Sequence, residues 1–210
     1  MKKSVCTMLI LAAALATAAF AADDKKAATA GQEKKAAPPG QQADAAAMQA
    51  MMAAMTPGEH HEHLKKLVGN HNYTMKMWMD PTAPPTESTG KRTAELLLGG
   101  RFLQEKFTGT FMGMPFEGIG LMGYDNVKKE YVGTWIDNMG TGMMTSHGQC
   151  DKTGWTMTGE GTDPTTGKTW TSRSVVKIVD DNTFTMEMFA PGPDGKEFKM
   201  FEMTCKRASS

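Results

Sequence analysis

From Asn70 to Arg207 the chain is a succession of short stretches in which apolar and polar side chains alternate, each ended by turn-forming residues. The first is HNYTMKMWM: His71, Tyr73, Met75, Met77 and Met79 fall on one face, Asn72, Thr74, Lys76 and Trp78 on the other. A period of two marks a strand with one buried face. Comparable runs follow over 91–98, 101–110, 116–124, 130–136, 143–150, 154–159, 169–179, 183–189 and 198–206. Turn chemistry separates them, as at Leu98-Gly99-Gly100, Gly113-Met114-Pro115, Asp180-Asp181-Asn182 and Pro193-Asp194-Gly195. About ten short strands at hairpin spacing, with no helical period between them, predict an antiparallel meander. A sheet of that size twists, and closing it removes its two edges. The expected fold is therefore all-β, an antiparallel up-and-down β-barrel of about ten strands, an architecture that commonly encloses a pocket.

Ahead of the strands the pattern differs. Lys2 and Lys3, an apolar stretch from Val5 to Ala19, and Ala19-Phe20-Ala21 have the order of a secretory signal peptide cleaved near Ala21, too short to span a bilayer. Residues 22–55, rich in Ala, Lys, Gln and Pro, are expected to form a largely disordered linker, because they have few large apolar side chains to bury. Ala45–Met55 has helix-forming residues but little to dock. Thr56-Pro57-Gly58-Glu59 reads as a helix start, with Thr56 as the cap, and predicts a short capping helix to about Val68, stopped by Gly69. The folded domain is thus placed at 56–207. The leader implies a periplasmic or secreted protein with no integral membrane segment after cleavage.

Charge narrows the partners. The chain carries 23 Lys and Arg against 23 Asp and Glu; without Lys2 and Lys3 the balance is 21 to 23, and no basic stripe suits nucleic acid. Gly118, Gly120 and Gly123 match the spacing of a dinucleotide-binding loop, but they run into a polar turn and a further strand, where that loop needs a helix. They read instead as glycines of one strand that mark a close approach. Beyond Cys6, the two cysteines Cys150 and Cys205 form a candidate disulfide in an oxidising compartment.

The segments LVGN, GGRFLQEKFTGTFMGMPFEGIGLMGYDNVKKEYVGTWIDNMGTG, TDPTTGKTWTSRSVV and DGKEFKMFEMTCKR together resemble the bacterial domain of unknown function 1579 family over about Thr56 to Arg207. The resemblance implies a barrel like that of lipocalins and fatty-acid-binding proteins. It supplies no activity, substrate or catalytic residue. Lipocalin-like barrels usually open with Gly-x-Trp; here Gly69-Asn70-His71 stands there, so Trp78 or Trp135 is expected to fill the closed end.

A small, largely apolar molecule is the expected partner, held by Tyr73, Met75, Met77, Phe116, Met122, Tyr124 and Trp135. The strand residues Arg101, Arg173 and Arg207, with Asp137, are candidates to orient a polar group in the lumen or to sit outside in surface ion pairs. The chain's 20 methionines suit an adaptable apolar pocket or, alternatively, a Cu(I) site drawing on Met75, Met77, Met79 and His71. Alternate residues of a strand lie about 7 Å apart, so such a site needs a ligand from a neighbouring strand. His60, His61 and His63 read as a solvated helix face without a third metal ligand. No nucleophile elbow assembles, and Ser146 and His147 point to opposite faces, so neither catalysis nor a cofactor is expected. A third reading is a structural or interaction module whose barrel is filled by its own side chains.

Overall fold

The computed structural model describes residues 39–163, 166–192 and 194–209. The leader at 1–21 and linker residues 22–38 lie outside them. Helix α1 (Pro39–Met55) is followed by α2 (Glu59–Leu64), a 3-10 turn (Lys65–Leu67) and ten strands. These are β1 (Gly69–Met77), β2 (Thr86–Leu97), β3 (Phe102–Phe111), β4 (Met114–Asp125), β5 (Glu130–Asp137), β6 (Met144–Cys150), β7 (Gly154–Thr162), β8 (Thr169–Asp180), β9 (Thr183–Pro191) and β10 (Glu197–Arg207). Each strand pairs antiparallel with its sequence neighbour, and β1 closes on β10 with Tyr73 opposite Cys205. The predicted barrel is the observed one.

Local chemistry explains the connections. Between β3 and β4 only Met112 and Gly113 are unpaired, at φ 50° and 79°, which is the two-residue turn whose twist suits a hairpin. Asp125, Asp151 and Asp180 each accept from backbone N–H groups two residues on, Asp125 also from Lys128 N. These turns are held by their own carboxylates.

Two expectations about the N-terminal part are corrected. Pro39–Met55 of the linker is helical, with Pro39 in the first turn, where its missing N–H costs nothing. The carbonyls of Ala53, Ala54 and Thr56 accept from Asn126 Nδ2, which anchors the end of that helix to the β4–β5 turn. The second helix starts later than Thr56: Gly58 is the cap residue, its N–H donating to His61 Nδ1 at 3.1 Å, while Thr56 Oγ1 donates back to Met52 O.

The helix and the 3-10 turn close one end of the barrel. Leu64 and Leu67 enter it and pack with Leu103, Tyr131 and Trp155, among the most deeply buried side chains. Burying residues of this size is worth roughly 1.5–3 kcal/mol each. The tryptophan of the closed end is thus Trp155, not Trp78 or Trp135. Trp78 lies beyond β1 beneath Lys199 Nζ, 5.5 Å from its ring centroid, and Trp135 lines the lumen. The imidazoles were also misplaced by their polarity. His61 is 5 % exposed and His60 stacks on Tyr124 at 4.0 Å, so the helix face bearing them sits on the barrel rather than in water.

Candidate functional site

Above that floor the barrel encloses a cavity of about 440 Å³, which runs from Leu67 to the loop residue Met139, itself 41 % exposed. Its two walls are built differently. On β1, β10 and β9 the register sets Met75 opposite Met203 and Met203 opposite Met186, with Met77, Phe201 and Met188 forming the adjacent row. On β5 to β8 the corresponding positions are small: Gly133 faces Ser146, Ser146 faces Gly159, and Gly159 faces Ser172. Flexible thioethers on one side and missing side chains on the other leave the space open. A Cβ on Gly159 would meet only the end of the Ser172 side chain, 2.8 Å from Oγ, but Gly118 is not interchangeable with alanine, since a Cβ there would fall 2.4 Å from Trp135 Cζ2. The second contact accounts for the glycine spacing in β4: Gly118 and Gly120 underlie the Trp135 indole, and Gly123 makes room for Phe102 on the outer face.

A buried ionic cluster lies at the deep end. Arg92 of β2 is fully buried. Its Nε donates to Glu105 Oε1 at 2.8 Å, its Nη2 donates to the same oxygen, and its Nη1 donates to Leu67 O at 2.8 Å and to His71 Nδ1 at 3.2 Å. The guanidinium also lies 4.8 Å from the centroid of Phe184 and 5.9 Å from that of Phe107. Arg92 therefore ties the 3-10 turn to the first three strands.

His71 is held neutral. Burial first, and then the charge of Arg92, lower its pKa from 6.5 to about 4. A folded-state pKa below the unfolded value means that the unfolded chain takes up the proton first. The stabilisation is complete above pH 6.5 and is lost as the pH falls towards 4. With each pKa unit worth about 1.4 kcal/mol, the loss is on the order of 3 kcal/mol. His71→Gln keeps an acceptor for Arg92 but does not titrate. Urea midpoints measured between pH 7 and pH 4 are expected to fall more steeply for the wild type than for H71Q; parallel curves would mean that His71 is not buried neutral.

The structure sorts the sequence-derived candidates. Tyr73, Met75, Met77, Phe116, Met122, Trp135 and Asp137 all line the cavity. Tyr124 does not, because it is taken up by His60 and Tyr131 at the closed end. The three arginines lie outside the lumen. Arg101 ties Leu98 O to Met55 O, Arg173 forms a two-point ion pair with Glu197 on the outer face, and Arg207 donates to Val68 O. The alternative metal set does not converge: Met79 lies past the end of β1 and is 71 % exposed, and His71 Nδ1 is engaged by Arg92. The candidate disulfide is absent as well. Cys150 of β6 and Cys205 of β10 are free thiols on strands with three others between them. Burial pushes the Cys205 thiol up to about 12. Arg92 and Glu105 were missed, although the alternation marks both: each is the charged member of an otherwise apolar face, Arg92-Ala94-Leu96 and Leu103-Glu105-Phe107.

A closed ten-stranded antiparallel barrel with a helical floor and an apolar lumen defines the class of protein. The chain belongs to the family described as "Protein of unknown function (DUF1579)", whose model matches residues 56–207. The comparison with curated proteins found no match. Among solved structures, a redesigned β-barrel is similar at 16 % identity and a TM-score of 0.39, covering 70 % of this chain and 95 % of its own.

Proposed function

We propose that this chain is an exported barrel that holds one small, largely apolar molecule in its lumen. The observation that carries the reading is the 440 Å³ cavity walled by methionines and aromatic rings. Its volume is in the range of small-molecule sites, and a lumen filled by its own side chains, as a purely structural module would have, lacks such a space. Affinity would come from apolar burial against Met75, Met186 and Met203, whose flexible thioethers repack around irregular shapes. The leader-like order of residues 1–21 supports export, which would place the barrel where it meets envelope or extracellular apolar molecules. The test is uptake of diphenylhexatriene, an uncharged apolar fluorophore: one saturable site per chain, lost when a large side chain fills the lumen.

A further inference from the structure

Resting on that reading, we infer that the molecule held in the lumen carries a hydrogen-bond donor, an alcohol or an amine, at its deep end, and not a carboxylate. A buried arginine in a barrel invites the opposite conclusion, since guanidinium and carboxylate match in fork geometry. Here the arginine is already engaged. Glu105, Leu67 O and His71 Nδ1 surround the Arg92 guanidinium, and Arg92 is fully buried behind Glu105.

What the cavity meets is the carboxylate. Both bonds from Arg92 fall on Glu105 Oε1. The other oxygen, Oε2, lies 3.3 Å from where a Cβ on Gly120 would stand, on the inner face of β4, and accepts no hydrogen bond among the described residues. Glu105 lines the cavity and its side chain is 22 % exposed there. The charged side chains in the lumen wall, among the described residues, are Glu105 and Asp137, both acidic; every basic group lies behind the wall or outside it. A carboxylate drawn into this lumen would meet two anions and no available cation. A hydroxyl or ammonium would instead donate to Glu105 Oε2, a charge-assisted bond against a largely apolar wall.

A second, independent observation also points to a polar group in the occupant. Ser172, on β8 across the barrel from β3, is 5 % exposed and lines the cavity, yet its Oγ has no hydrogen-bond partner. Burying a hydroxyl without a partner is costly, and a rotation turning Oγ from Gly159 towards the lumen would let a ligand group relieve that cost.

The experiment uses the full chain with the lumen loaded with diphenylhexatriene, and measures displacement by dodecanol, dodecylamine and dodecanoate, which share one tail. Dodecanol and dodecylamine are expected to displace the probe at concentrations at least about tenfold below that of dodecanoate, and whichever of the two is stronger identifies the headgroup as neutral or cationic. Displacement by dodecanoate at an equal or lower concentration would overturn the inference while leaving the lumen reading intact. Failure of the probe itself to bind would sink both. The variant E105Q keeps the shape and an acceptor for Arg92 but removes the anion, so the Arg92 charge is left unneutralised beside the lumen and dodecanoate is expected to gain at least about tenfold. If E105Q does not fold, the wild-type series alone decides.

Discussion

Replacing Glu105 with Ala will destabilise the barrel by about 3–5 kcal/mol, read as a shift in the urea unfolding midpoint. The size follows from where the charge is left. Arg92 is fully buried, and Glu105 is the anion that offsets its desolvation. Removing the partner leaves a guanidinium with only Leu67 O, a neutral imidazole and two aromatic faces. Replacing both members, as R92M with E105L, removes the buried charge altogether and is expected to cost far less or to stabilise. The outer-face pair offers a control. Arg173 and Glu197 make a two-point contact of similar chemistry but are 40 % and 48 % exposed, so Arg173→Ala is expected to cost no more than about 1 kcal/mol. A loss of that smaller size in E105A would show that Arg92 is not desolvated by the fold.

Ser146→Trp will abolish apolar-probe uptake while leaving the fold in place. Ser146 lies on β6 between Gly133 and Gly159, on the wall where small residues keep the lumen open. A Trp there occupies existing space, so the strain of forcing a larger side chain into a packed core, about 1–3 kcal/mol, is largely avoided. Its indole also suits a pleated, half-buried surface. The expected result is at least a hundredfold loss of affinity for diphenylhexatriene, or about 2.8 kcal/mol, with an unchanged circular-dichroism spectrum. Uptake equal to wild type would mean that the probe binds outside the barrel, and the exposed methionines Met48, Met51, Met52 and Met55 of α1 would be the place to look.

The strands were legible because their information is local. Alternation and Asp- or Gly-bearing turns recur through the domain, and antiparallel closure is the arrangement that leaves no edge. The site was half legible. Tyr73, Met75, Met77 and Trp135 stand out as apolar residues on one face, and that face is the inner one. The arginines were ambiguous for a physical reason: on β8 the inward positions include Ser172 and Ser174 as well as Val176, while the outward ones include Val175 beside Arg173. On the one wall where serine and glycine face the lumen, the usual contrast between inside and outside is lost, so hydrophobicity alone leaves that strand ambiguous. The helix floor was hidden in the same way. His60, His61 and His63 read as polar, yet they cover the closed end of the barrel, a contact made only through tertiary packing. The separation of the free thiols Cys150 and Cys205, by contrast, follows from the meander order itself, which sets them on the sixth and tenth strands with three others between.

Native mass spectrometry of the full chain, purified from the envelope fraction of its own cells and then denatured to release what it holds, tests the central claim most directly. The account predicts a one-to-one adduct whose released molecule is largely apolar and small enough for a 440 Å³ lumen. A bare mass, persisting after incubation with a total lipid extract, would contradict it.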